Sequence, residues 1–119
     1  MTNTNESIEN QPLENEISEI SPEMQAFFQR ADSFIQLANS QLSPEAHTAQ
    51  VSASLMYSSA RYSASVASIG FSNADDFIKE KQQIIDFYSK QFSQMLSDNL
   101  DDYARNFDNY AKLNADNAK

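Results

Sequence analysis

One run of regularly spaced positions in the C-terminal third of the sequence constrains the fold more than any other feature. The positions are three or four residues apart, and all but one are apolar: Ile78, Lys81, Ile85, Tyr88, Phe92, Leu96, Leu100, Tyr103, Phe107 and Tyr110. Side chains at this spacing share one face of an α-helix. The pattern therefore predicts a helix over residues 74–112 with a continuous apolar face.

The spacing shifts phase between residues 92 and 100, beside Ser97, Asp98 and Asn99. These residue types favour helix ends because their side chains compete for nearby backbone groups. We therefore expect a kink or break near 97–99. After it, residues 100–112 either continue the helix or fold back as a separate one.

The segment SDNLDDYARNFDNY, residues 97–110, is dense in Asp and Asn and resembles a cation-binding loop at first sight. An EF-hand loop needs alternating oxygen ligands, a glycine at the sixth position and a glutamate at the twelfth. Counted from Asp98, those two positions are Tyr103 and Asn109. The segment is better interpreted as a helix with a polar, solvent-facing side and an apolar side, and no metal site is predicted.

Two more helices are indicated upstream by a repeated start signal. SPEM at 21–24 and SPEA at 43–46 each combine a serine N-cap, a proline at the first helical position and a glutamate in the first turn. The single Gly70 is expected to end the second helix, and one glycine with three prolines leaves few turns for a β fold. We predict an all-α fold, an antiparallel bundle of three principal helices at about 22–41, 44–69 and 74–112.

Charge is distributed unevenly along the chain. The net charge is −9, and residues 1–23 contain six glutamates with no lysine or arginine. We interpret residues 1–20 as a disordered acidic arm, 21–113 as the helical domain and 114–119 as a flexible tail. Such acidity disfavours nucleic acid and anionic membrane surfaces as partners. No basic region followed by an apolar run is present at the N-terminus, so a cytoplasmic location is expected.

The residue inventory limits the chemistry. No cysteine is present, and the single histidine, His47, offers a metal ion or a catalytic triad too few partners. We predict no catalytic residue, no cofactor and no metal ligand. We expect His47 to lie at the surface.

Arg61 stands out because no other charged residue lies between Glu45 and Asp75. A charge in the middle of a helix with apolar side chains on two faces is expected to be partly buried and to need a carboxylate partner. Asp32, near the middle of the first helix, is the first choice. The pair is interpreted as an internal ion pair, with a ligand or partner contact as the alternative.

Three segments resemble the blocks of a small proteobacterial family of unknown function: FFQRADSFIQLAN (27–39), VSASLMYSSARY (51–62) and NLDDYARNFDNY (99–110). The resemblance covers residues 24–111. It implies a compact helical domain that contains Asp32, Arg61 and the NLDDY segment, and it implies no activity.

The leading functional hypothesis is a non-enzymatic interaction module that binds a protein partner or forms a homodimer. The candidate association surface comprises Leu100, Tyr103, Phe107 and Tyr110, which form an apolar stripe too aromatic to be left in water without consequence. The alternative is a small-molecule or enzymatic site around Arg61 and Asp32. A weaker alternative, based on net charge alone, is an acidic mimic of nucleic acid.

Overall fold

The computed structural model describes residues 20–118, with side-chain positions through residue 112. All the named elements are helices: α1 (Pro22–Ser40), α2 (Thr48–Ser68), α3 (Ala74–Lys79), α4 (Lys81–Arg105) and α5 (Phe107–Ala118). The all-α class is therefore confirmed. The chain divides into two compact units, Met1–Tyr62 and Ser63–Lys119. Residues 1–19 of the predicted acidic arm lie outside the described residues, and the antiparallel bundle stays a prediction.

Helix α1 begins where its start signal predicts. Ser21 is extended, and its hydroxyl oxygen accepts a hydrogen bond of 3.2 Å from the backbone N–H of Met24. Pro22 occupies the first turn, where no backbone N–H is needed, and Glu23 lies at the positive end of the helix dipole. The three local preferences agree, so the helix start follows from a few adjacent residues.

The second start signal behaves differently. Ser43 and Ala46 exchange two backbone hydrogen bonds of 3.0 and 3.1 Å, and the Ser43 hydroxyl accepts from the N–H of Glu45. The Ser43 hydroxyl and the backbone groups of Ser43 and Ala46 are hydrogen-bonded within this tight turn, so they do not cap a helix. Helix α2 therefore starts at Thr48, and the predicted start at residue 44 is wrong. His47 takes the cap position, and its backbone N–H donates to Gln50 Oε1 at 2.7 Å, one half of a capping box.

Helix α2 ends close to the predicted residue but not through a left-handed glycine. The backbone N–H of Ile69 bonds to the Val66 carbonyl, and that of Phe71 bonds to the Ser68 carbonyl. These tightened turns satisfy carbonyls at the helix end. Gly70 does not have a positive φ angle, so it follows the last turn without the left-handed conformation that glycine often adopts at a helix end.

The predicted third helix is divided into three elements. Asn73 caps α3, because its side-chain oxygen accepts from the backbone N–H of Asp76 at 2.9 Å. Glu80 then interrupts the helix with φ −92° and ψ 2°, while the Ile84 N–H still bonds to its carbonyl. Beside this bend the rings of Phe71 and Phe77 are in contact, with centroids 5.2 Å apart.

The kink predicted at 97–99 is wrong, because α4 is continuous through these residues. Their polar side chains bond along the helix surface instead: Asn99 donates to the Met95 carbonyl at 2.8 Å, and Asp98 accepts from Gln94 at 2.9 Å. The helix is continuous past both bonds. A helix interior can therefore accommodate Asp98 and Asn99 when each has a partner one turn earlier.

The interruption lies at Asn106, where φ is −113° and ψ is 28°. Asn106 donates its backbone N–H to the Asp102 carbonyl, and Tyr110 donates to the Asn106 carbonyl, so hydrogen bonding crosses the junction and residues 107–112 are helical again. Helix α5 extends to Ala118, through most of the segment assigned to a flexible tail. Alanines at 111, 115 and 118 favour that helix.

Candidate association surface

Large apolar side chains remain exposed along the whole of α4. Within residues 20–112 no side chain is buried, and Phe92, Leu100 and Phe107 expose 55%, 59% and 65% of their surface. We call one face of α4 the α4 stripe: Ile85, Tyr88, Phe92, Leu96, Leu100 and Tyr103. The helical spacing predicted from the sequence therefore produces a continuous apolar surface, with Phe107 following it at the start of α5.

The N-terminal end of α4 has a second apolar face that the sequence pattern missed. An open groove of about 430 Å³ is lined mainly by apolar side chains: Ala67, Phe71, Ile84, Phe87 and Tyr88, with Glu80 and Gln83. Phe87 and Tyr88 are in edge contact at 5.1 Å. Phe87 lies off the α4 stripe, so a search for one apolar periodicity could not find it; the run of apolar residues at 84, 85, 87 and 88 was the available signal.

The C-terminal end of the α4 stripe is partly covered by the chain itself. Tyr110 stacks on Tyr103 with ring centroids 4.0 Å apart, and its hydroxyl donates to Asp102 Oδ2 at 2.9 Å. Asn106 donates to the other carboxylate oxygen of Asp102 at 3.0 Å. Of the four residues predicted as the association surface, Leu100, Tyr103 and Phe107 are exposed, whereas Tyr110 is half-buried.

Asp32 and Arg61 are both exposed, so the partial burial expected for Arg61 is not found. The ion pair that forms between described side chains is Lys79 with Asp76, at 3.8 Å and well exposed. The structure does not bring Asp32 and Arg61 to ion-pair distance. Helix α2 exposes large side chains around Arg61, among them Tyr57 and Tyr62. Both roles suggested for the pair stay predictions.

The part of the chain from residue 20 to 118 contains no group of three or more His, Cys, Asp or Glu side chains that could hold a metal ion. His47 is exposed at the start of α2. None of the described helices is long and apolar enough to cross a bilayer. What the described residues offer to a ligand is apolar surface on helices.

Fold and surface together define an all-α protein whose described helices expose large apolar side chains. The chain belongs to the family described as "Protein of unknown function (DUF3144)", whose sequence profile matches residues 27–104. The matched region contains Asp32, Arg61 and the α4 stripe, and it ends before Phe107 and Tyr110.

A solved structure supports the same fold. The chain is similar to the NMR structure of the protein NB7890A from Shewanella sp, with 40% sequence identity and a TM-score of 0.62. The aligned region covers 71% of this chain and 88% of that one. A comparison with curated proteins found no match.

Proposed function

We propose that this protein is a non-enzymatic interaction module that associates with itself through the α4 stripe and Phe107. A protein partner and a cytoplasmic location, both expected from the sequence, are part of the proposal. The observation that carries it is the exposure of the stripe. Phe92, Leu96, Leu100 and Tyr103 each leave about half of their surface in water, although they lie on one face of one helix.

The free energy gained by covering these exposed side chains favours a partner. Burying a large apolar side chain contributes roughly 1.5–3 kcal/mol, so covering the exposed half of each stripe residue contributes about 1 kcal/mol. Contiguous exposed apolar surface of this kind marks interaction sites in soluble proteins. A helix covers such a stripe well, because ridges of side chains on one helix fit the grooves of another.

A second copy of the chain meets the requirement without any further component. Both copies carry the same stripe, and two-fold pairing hides both stripes in one closed interface. Helix α4 has 25 residues and therefore a length of about 37 Å. That length offers several helical turns of continuous contact.

Light scattering after size exclusion tests the proposal. Wild-type protein is expected to elute with twice the mass of one chain, and Tyr103→Glu/Phe107→Glu is expected to elute as a monomer. The matched control, Gln94→Glu/Ser97→Glu, adds the same two charges to α4 away from the stripe and should remain a dimer. A wild type that stays monomeric at millimolar concentration would rule out self-association.

A further inference from the structure

The open groove at the N-terminal end of α4 combines aromatic walls with one carboxylate, that of Glu80. We propose that this groove binds a small organic cation, a molecule in which an ammonium group is attached to an apolar body. The inference concerns a site on a single chain and does not depend on the proposed self-association.

The groove is formed within one compact unit of the chain. All of its lining side chains belong to Ser63–Lys119, and they come from the end of α2, the segment after it and the first turns of α4. Ala67, Phe71, Ile84 and Tyr88 are half-buried there. A volume of about 430 Å³ lies in the range of sites that take small molecules.

Glu80 is the only charged residue among the lining side chains, and it is half-buried. The two neighbouring lysines do not neutralise the groove: Lys79 pairs with Asp76 at 3.8 Å, and Lys81 is exposed and does not line it. A ligand in the groove therefore lies beside a negative charge and against no positive side chain of the protein.

The fold does not use the Glu80 carboxylate. Glu80 occupies the cap position of α4, yet its side chain makes no capping hydrogen bond. Its backbone holds it in place, because its N–H donates to the Phe77 carbonyl and its carbonyl accepts from the Ile84 N–H, both at 3.0 Å. Within the described residues the carboxylate has no ion-pair or hydrogen-bond partner. Since apolar surroundings strengthen the attraction between opposite charges, this carboxylate favours a cationic ligand.

Aromatic rings supply the rest of the recognition surface. The Phe87 and Tyr88 rings are in edge contact at 5.1 Å, and the Phe71 ring rests against Phe77 at 5.2 Å. The face of an aromatic ring attracts a cation within about 6 Å of its centroid. The same rings offer apolar surface to the body of the ligand. A neutral ligand gains only the apolar contact, and the carboxylate repels an anion.

Three probes of similar shape test the charge of the ligand: phenethylammonium is cationic, phenethyl alcohol is neutral and phenylacetate is anionic. Each is titrated into the full chain, and backbone amide shifts are followed by nitrogen–proton NMR. The cation is expected to shift the amides of Phe71, Glu80 and Ile84 saturably and to bind about tenfold more tightly than the alcohol. Phenylacetate should leave these amides unshifted.

Glu80→Gln keeps the size of the side chain and removes its charge. Its affinity for phenethylammonium should fall about tenfold, to that for the alcohol, while its affinity for the alcohol stays unchanged. The matched control, Asp86→Asn, removes one charge from an exposed residue of α4 outside the groove and should change the affinity for the cation less than about twofold at 0.15 M salt.

Equal binding of the cation and the alcohol by the wild type would overturn the inference, and so would shifts confined to residues outside the groove or full affinity of Glu80→Gln for the cation. The monomeric variant Tyr103→Glu/Phe107→Glu separates the inference from the proposed function. Both changes lie outside the groove, so this variant should bind phenethylammonium as the wild type does. Loss of binding in it would overturn a site on the single chain, whereas a monomeric wild type that binds the cation would remove self-association alone.

Discussion

The middle of α4 and its two ends have the same helical backbone but different surroundings. Every residue from 89 to 101 is exposed. At the N-terminal end, Phe71 contacts Phe77 and Phe87 contacts Tyr88; at the C-terminal end, Tyr110 stacks on Tyr103. Intermediate burial of Ile84, Tyr88 and Asp102 accompanies these contacts.

The difference coincides with two interruptions of the helix. At Glu80 and Asn106 the backbone departs from regular helical dihedrals, and the Phe71–Phe77 and Tyr103–Tyr110 ring contacts lie on either side of these positions. A straight helix keeps residues on one face in a row, so its stripe cannot be covered by its own turns. The ends of α4 therefore have side-chain contacts close at hand, whereas every residue from 89 to 101 is exposed.

Leu96→Lys should produce the largest effect, because it adds a charge to the middle of the α4 stripe. Removing the apolar contact and burying an unpaired charge is expected to cost about 3 kcal/mol of association free energy, a weakening on the order of 100-fold. Sedimentation equilibrium measures it. Gln94→Lys adds the same charge on the other side of α4 and should weaken association less than threefold; equal losses in the two variants would contradict a stripe-centred interface.

Asn73→Ala should affect only α3 and the N-terminal end of α4. The variant loses the cap bond to the Asp76 backbone, and removing an N-cap costs about 1 kcal/mol. Amide hydrogen exchange should become faster in α3 but not in residues 89–101, and the dimer dissociation constant should be unchanged. Faster exchange throughout α4 would show that its middle draws stability from this end.

Tyr110→Phe tests the covered C-terminal end. The change removes the hydrogen bond to Asp102 and keeps the ring stacked on Tyr103, so local stability should fall by about 1 kcal/mol. Exchange should increase around Asn106 while the dimer remains. Loss of the dimer in this variant would mean that the bend at Asn106 orders the interface itself.

Lys81→Glu is expected to have the smallest effect. A glutamate at a helix N-terminus favours the helix, yet the change takes the net charge of each copy from −9 to −11, so two copies repel each other more. Association should weaken severalfold at low salt, and the difference from wild type should shrink above about 0.5 M salt because of screening. An unchanged affinity at low salt would contradict a contribution of net charge to self-association.

Much of the fold and part of the candidate surface could be predicted from the sequence. The starts at Pro22 and Ala74 depend on adjacent capping residues, Ser21 and Asn73, which short-range rules describe well. The helical spacing placed Leu100, Tyr103 and Phe107 on one apolar face, and these side chains are exposed in the structure; their role as an association surface stays a prediction. Phe87 was missed because it lies off the spacing of the α4 stripe, and its groove was missed because side chains of different elements line it.

Local signals alone did not decide between two equivalent motifs. SPEM begins a helix and SPEA forms a turn, although both contain Ser, Pro and Glu at the same positions. In the second motif, the two bonds between Ser43 and Ala46 close a turn. The helix begins only after the cap that His47 and Gln50 form. The residues that follow a start signal therefore determine whether it is used.

The sequence by itself determined that the chain is helical, where α1 and α3 begin, and which residues form the α4 stripe, because caps and helical periodicity involve residues no more than four apart. Only the tertiary structure decided that the helix bends at Asn106 and not at 97–99. Aspartate and asparagine occur at both places. The difference is that Tyr110 reaches back eight residues to Asp102 and stacks on Tyr103, a contact longer in range than any capping motif.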